Sequence, residues 1–216
     1  MLKRIARSLR PVLVLLAVFI TFGFAIIAYQ AVRTLQQLTA IEAGRDRWQQ
    51  SSEIIAALNL KPDSTVVDLG SGSGYFALKL SPVVGSGGSV YAVDIRQVSL
   101  RFLQLRALIR GRRNIRTVLG EPDNSHLPQK ADAVLIANAY HELDHPDAIL
   151  NQVFQSLVPG GRLVIVDPAQ TEHGELSATR VEDELRRHGL EILNNQNQFI
   201  SQPDGGTWWL IVARKP

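Results

Sequence analysis

The chain opens on an apolar block. From Pro11 to Val32 no side chain is charged, and the run from Val12 to Tyr29 is almost wholly aliphatic or aromatic. A bilayer core of about 30 Å needs roughly 20 such residues as a helix, so this run is expected to span a membrane once. A cleaved signal peptide is the first alternative, but signal cores run to about 7–15 residues and end near a small-x-small site; here the run is longer and offers only Ala-x-x-Ala spacings such as Ala25 to Ala28. A buried core helix is the second. Beyond the run, Ala31 to Ala43 continues the helix, Gly44 is expected to interrupt it, and a helix resumes over Trp48 to Leu58 with Ile54, Ile55 and Leu58 on one face.

After Lys61-Pro62-Asp63 the pattern changes to short apolar runs alternating with helical periodicity, as in a mostly parallel sheet with crossover helices. Strands are expected at Thr65–Leu69, Ser89–Asp94, Asn114–Leu119, Ala131–Asn138, Arg162–Asp167, Leu190–Gln196 and Thr207–Ala213, and helices at Tyr75–Leu80, Gln97–Ile109, Asp147–Leu157 and Ser177–His188. The fold class is therefore α/β and Rossmann-like: a tail, span and linker over residues 1–43, then one domain over residues 44–216. Two independent domains would not fit in the 216 residues.

Charge alters this picture in one respect. The formal net charge is +3, but Lys3, Arg4, Arg7, Arg10 and Arg33 stand in the first 40 residues without an acid; removing those five from the 23 bases leaves 18 against 20 acids. The domain is slightly acidic, and bases beside an apolar run suit anionic lipid rather than nucleic acid, so no nucleic-acid partner is expected. The basic N-terminus favours the cytoplasmic side by the positive-inside rule, which would put the domain across the membrane, but Arg33, Arg45 and Arg47 after the run make that bias modest, and the side stays open. The absence of cysteine excludes disulfides, thiol nucleophiles and cysteine-based zinc sites.

The chemistry starts in Val66-Val67-Asp68-Leu69-Gly70-Ser71-Gly72-Ser73-Gly74-Tyr75, where a strand runs into glycines that allow a tight turn and close approach of a ligand. Asp94, closing the second strand, stands where a carboxylate grips a ribose diol. The dinucleotide fingerprint asks for G-x-G-x-x-G; the pattern is G-x-G-x-G, with Tyr75 in the third place, and no Lys or Arg lies between Lys61 and Lys79 to meet a pyrophosphate. No Gly-Lys-Ser/Thr follows either, which rules out a P-loop. An uncharged turn suits a nucleoside cofactor without phosphates.

With these residues the chain resembles the class I S-adenosylmethionine-dependent methyltransferases. Val66 to Tyr75 is similar to the family's first motif, Tyr91 to Ile95 to its second, Leu119 to Asp123 to its third, Ala133 to Leu143 to its fourth, and Leu157-Val-Pro-Gly-Gly-Arg-Leu-Val-Ile-Val-Asp167 to its turn into the fifth strand. Gly44 to Gln49 resembles a subset of small bacterial members whose leading helix covers the cofactor. The resemblance implies a seven-stranded sheet ending in an antiparallel hairpin, and S-adenosylmethionine as cofactor. It implies that Asp68, Gly70, Gly72 and Gly74 surround the methionine part, that Asp94 holds the ribose and Ile95 packs on adenine. Asp123, or else Glu121, would meet the adenine amino group, and Asn138 would line the methionine side.

Tyr140, His141 and Glu142 follow the fourth strand at the carboxyl edge of the sheet, and His141 has the intrinsic pKa of a general base; the tripeptide equally well closes a loop and caps the next helix. His126, His145, His173 and His188 read as surface or loop residues in no metal-ligand spacing. Arg96, Arg101, Arg106, Arg110, Arg112, Arg113 and Arg116 crowd the second domain helix and its exit, with Arg106, Arg110 and Arg113 on one face; a solvated face is expected over a basic patch. Trp208 and Trp209 alternate across the last strand, one toward the core and one toward a lid or membrane. The expected function is methyl transfer to a small-molecule or lipid-like, membrane-associated acceptor. The alternatives are an NAD(P)-dependent oxidoreductase, which lacks here its third glycine and any Tyr-x-x-x-Lys pair, and a non-catalytic membrane protein on the same fold.

Overall fold

A computed structural model describes residues 2–172, 174–202 and 205–216, with side chains from residue 14 onward. His173 and the side chains of Lys3, Arg4, Arg7 and Arg10 lie outside the described residues. The chain divides into two compact units, Met1–Arg47 and Trp48–Pro216.

The first unit is one helix, α1 (Leu2–Asp46). From Val14 to Asp46 it is long and apolar enough to cross a membrane, with Phe19, Phe22 and Phe24 all exposed. Its threonines bond back onto the backbone: the Thr21, Thr34 and Thr39 hydroxyls donate to the carbonyls of Ala17, Gln30 and Leu35 at 2.9–3.0 Å, which satisfies these hydroxyls without water. The break expected at Gly44 is absent. Helix continues to Asp46, because a single glycine costs only about 1 kcal/mol relative to alanine in a helix interior.

In the second unit, Gln50 takes a left-handed conformation and delays α2 to Ser51–Ala57. There follow β1 (Thr65–Leu69), α3 (Tyr75–Val84), β2 (Ser89–Asp94), α4 (Gln97–Ile109), β3 (Ile115–Leu119), β4 (Ala131–Ala137), a 3-10 turn at Tyr140–Glu142, α5 (Pro146–Ser156), β5 (Leu157–Pro168), a small hairpin of β6 (Gln170–Thr171) and β7 (Gly174–Glu175), α6 (Ala178–Arg187), β8 (Glu191–Ser201) and β9 (Thr207–Arg214). Seven strands form one sheet in the order β3-β2-β1-β4-β5-β9-β8. Neighbours from β3 to β5 are parallel, and β9 is antiparallel to both β5 and β8.

Both faces are covered, which is why the central strands read as unbroken apolar runs. Val66, Leu135, Val164 and Leu210 pack beneath α2, α3 and α4, while Val67, Ile136, Ile165 and Ile211 pack against α5 and α6. The two tryptophans divide in the same way, and both are buried: Trp208 packs at a tilt against Trp48, ring centroids 5.3 Å apart, and Trp209 Nε1 donates to the Leu176 carbonyl at 2.9 Å. Neither faces outward, contrary to the expectation for one of them. The Pro-Gly-Gly turn also lies inside β5 rather than before it. Leu157 already pairs with Ala131, and a bulge at Gly160, whose N–H reaches the Lys215 carbonyl at 2.8 Å, carries the register to Ala133–Arg162.

Chain order reverses between β1 and β4. The carboxyl ends of these two neighbours, Gly70 after one and Asn138 after the other, therefore flank the crevice in which open α/β sheets bind ligands.

Candidate functional site

The glycine turn is tied to the end of β2. Gly70 and Ser71 donate their N–H groups to the Val93 carbonyl at 2.9 and 3.0 Å, and Gly72 N–H donates to Asp94 Oδ2 at 2.7 Å. The other Asp94 oxygen accepts from Arg96 N–H at 2.8 Å. Asp94 is thus a buried carboxylate that organises both the turn and its own strand end before any ligand arrives. Gly70, Gly72 and Gly74 all have positive φ, but their surroundings differ. A Cβ on Gly70 would lie 2.3 Å from Ala139 Cβ and one on Gly74 2.1 Å from Leu103 Cδ1, whereas one on Gly72 would meet nothing within 4 Å. Close packing accounts for the outer two glycines, and the middle one faces open space.

The turn is less neutral than its sequence suggests. Arg106, expected on a solvated helix face, is 3% exposed and donates to the Ser73 carbonyl at 2.5 Å, so a cation from α4 supports the turn from below. The face shared by Arg106, Arg110 and Arg113 does not form either, since α4 stops at Ile109. Tyr75, in the place of the third dinucleotide glycine, is buried edge-on to Phe76 at 4.9 Å.

A cleft of about 670 Å³, open mouth included, lies over this edge; Gly70, Asp94, Ile95, Glu121 and Asn138 line it. Asn138 is held in the left-handed region at φ 57, with its N–H on the Val166 carbonyl at 2.8 Å, a conformation that turns the chain sharply away from β4. Asp68 and Gly74 are buried and, like Gly72, do not belong to the cleft wall. Asp123 is exposed and outside the lining, its carbonyl accepting from Gln152 Nε2 at 2.7 Å, while Glu121 is in the wall. Gln152 also receives both the N–H and the hydroxyl of Ser125, so α5 fixes the loop after β3. Nothing in the linear order links Gln152 to that loop.

The residues present fit a phosphate-free nucleoside–amino acid cofactor. The Ser71 hydroxyl is buried without a hydrogen-bond partner in the turn, Gly72 leaves room beside Asp94, and the wall combines apolar surface with four carboxylates, Asp94, Glu121, Glu142 and Asp144. Asp94→Ala is expected to lower S-adenosylmethionine affinity by roughly 1.5–3 kcal/mol through lost charge-assisted hydrogen bonds. Titration calorimetry checks this; undiminished affinity in a folded variant would remove Asp94 from the site.

His141 sits on the 3-10 turn between Asn138 and Leu143, both in the cleft wall, but does not itself line the cleft. Its Nδ1 lies 2.7 Å from Asp167 Oδ1, and its backbone N–H donates to Asp167 Oδ2 at 3.0 Å. Asp167, fully buried at the end of β5, is a partner that sequence reasoning missed. The parallel pairing of β4 with β5 brings the two strand ends together, and that adjacency was the available signal. The hydrogen bond to Asp167 raises the His141 pKa above its ordinary 6.5, while burial pushes the Asp167 carboxyl above the usual carboxylate range. Nδ1–H facing a carboxylate leaves Nε2 as the accepting nitrogen. Tyr140 points elsewhere: burial first, then the bond from its hydroxyl to Glu184 at 2.5 Å, hold its phenol well above the ordinary value, so it keeps its proton.

Residues 60–209 match the family model described as a methyltransferase domain. The chain is 33% identical over 110 residues to the ubiquinone/menaquinone biosynthesis C-methyltransferase UbiE of Pseudomonas putida, a match covering 50% of this chain and 43% of that protein. The chain thus spans less than half the length of the curated relatives it matches. Among solved structures, an S-adenosylmethionine-dependent methyltransferase from Aquifex aeolicus superposes with a TM-score of 0.68 at 22% identity, over 77% of this chain and 90% of that one. The [4+2]-cyclase SpnF follows at 0.67 and 15% identity, over 78% and 81%. At those identities the structures speak for the fold, and the cyclase illustrates that one fold carries more than one reaction. A glycine turn locked to a strand-end aspartate at the sheet's switch point, together with the domain match over most of its length, places the chain in the methyltransferase-domain family of class I S-adenosylmethionine-dependent enzymes.

Proposed function

We propose that this protein transfers the methyl group of S-adenosylmethionine to a membrane-associated, lipid-like acceptor, with His141 as the group that removes a proton from it. The His141–Asp167 pair beside the cleft carries this proposal: a buried carboxylate fixes the imidazole's tautomer and orientation and stabilises its charged form. The bound cofactor supplies a methyl group already activated by a sulfonium, so the protein's task is to hold an acceptor in line, exclude water and take up a proton. In the proposed arrangement Asp94 holds the ribose, Ile95 packs on the adenine, and Asp68, Gly70, Gly72, Gly74 and Asn138 frame the methionine side. Glu121 replaces Asp123 beside the adenine amino group, since it stands in the cleft wall.

Two observations support the class of acceptor. The relatives are C-methyltransferases named for ubiquinone and menaquinone biosynthesis, and quinones of that kind dissolve in lipid. The long apolar helix over Val14–Asp46 gives the chain a means of staying where such molecules dissolve. Tritiated methyl groups from S-adenosylmethionine should enter the lipid extract of membranes carrying the protein, and His141→Gln should lower the rate by about a hundredfold or more, within the range of general-base contributions. Label that enters protein or water-soluble fractions instead would refute the acceptor class.

The histidine can be tested without the acceptor. Its raised pKa means that it stays protonated, and unable to accept a proton, until the pH passes above 6.5. Asp167→Asn removes the anionic partner, so the His141 titration followed by NMR is expected to move to lower pH. A titration unmoved by Asp167→Asn would dissolve the pair.

A further inference from the structure

Between Asp94 and Glu121 the chain has no acidic residue and seven arginines. α4, the principal element of this stretch, has two apolar stripes rather than one. Leu100, Leu103 and Ala107, with Arg106, are buried against the sheet. On the opposite side Val98, Leu105 and Ile109 recur at helical spacing, 81%, 39% and 62% exposed, and Leu108 beside them is 78% exposed. Leu119 at the end of edge strand β3 is also exposed. Arg101, Arg110 and Arg113 stand exposed among them. Single exposed aliphatic residues are ordinary, but a stripe of them on a solvent-facing helix, bordered by one sign of charge, marks an interaction surface.

We infer that this outer face of α4, with its flanking residues from Arg96 to Leu119, is a docking surface for an anionic phospholipid bilayer, additional to α1. The match is chemical. Aliphatic side chains enter the acyl boundary while arginines above them pair with phosphates, in the manner of interfacial amphipathic helices. A single-stranded nucleic acid would call for exposed aromatic rings to stack its bases, whereas the large apolar side chains exposed here are aliphatic. Docking would also have a use: Arg96 belongs to both this surface and the cleft wall, so the cleft mouth would come to the level of the headgroups. These exposed residues, and not the acceptor proposed above, carry the inference.

The chain has no cysteine, so a single labelled position is unambiguous. Full-length protein bearing an environment-sensitive fluorophore at Leu108→Cys is mixed with phosphatidylcholine vesicles, with and without phosphatidylglycerol. The emission should shift to the blue and be quenched by acyl-brominated lipid when phosphatidylglycerol is present, and the effect should weaken as salt is raised. A probe at Thr179→Cys, exposed on α6 against the opposite face of the sheet, should not respond. Combined Arg101→Glu, Arg110→Glu and Arg113→Glu substitutions should abolish the dependence of the Leu108 response on phosphatidylglycerol, with cofactor affinity unchanged as evidence of folding. A Leu108 probe indifferent to lipid charge overturns the inference, as does one that shifts with RNA but not vesicles, or with protein concentration alone. Alkaline carbonate extraction reads α1 separately, so failure of the anchor and failure of this surface are distinguishable.

Discussion

Gly72→Val is expected to abolish S-adenosylmethionine binding, by about a hundredfold or more in affinity, close to 3 kcal/mol, while the domain stays folded. The backbone at Gly72 has φ 52 and a Cβ there meets no atom within 4 Å, so the fold bears the cost of a left-handed conformation, about 1–2 kcal/mol, without a collision. The ligand bears the rest. The branched side chain would stand in the open space of the turn, next to the N–H that Asp94 accepts at 2.7 Å, and would resist the angle that keeps this bond. Calorimetric titration measures the binding, and tryptophan fluorescence in urea measures the fold. Trp48, Trp208 and Trp209 all belong to the second unit, so the signal reports on that unit alone. Normal binding by the variant would mean that the middle glycine serves the turn and not the cofactor.

Gly74→Val, two residues away, is expected to fail in the opposite manner. Its backbone has φ 91, and an added Cβ would lie 2.1 Å from Leu103 Cδ1, with Leu103 a fully buried residue of α4. Left-handed strain and overpacking add, giving a loss of about 3–5 kcal/mol, a large part of the stability of an ordinary domain. The urea midpoint should fall sharply and the melting temperature by on the order of 10 °C. Gly74→Val combined with Leu103→Ala should recover part of the loss, since the shortened side chain vacates the contested space. A variant as stable as the parent would show that α3 and α4 shift apart freely, and would contradict the packing role.

How far the fold is legible in the sequence follows from what each signal depends on. Strands β1 and β2 and helix α4 stand at the bounds their local pattern predicts, because a buried parallel strand is a short apolar run bounded by a turn, and that is a local property. β5 does not: its first residues pair with Ala131 across a bulge that depends on Lys215, some fifty residues later in the chain. At Gly44 the local signal points to a break, and a weak preference is overruled by a long helix continuing from the strongest apolar run.

The site divides along the same line. Composition, the apolar N-terminal run, the strand–glycine-turn–helix order and the strand-end acid at Asp94 were determined by the sequence, because each rests on residue type and spacing within one supersecondary unit, and together they sufficed for the fold class and the nucleoside cofactor. Tertiary structure alone decided which groups meet. It put Arg106 under Ser73, Gln152 on the loop after β3, Glu121 rather than Asp123 in the cleft wall, and Asp167 against His141. It also turned one apolar stripe of α4 inward and left the other exposed. The physical reason is that a hydrogen bond or a buried contact depends on distance in space, and here those distances are set by the order β2-β1-β4-β5 in which the strands assemble, which no local pattern encodes.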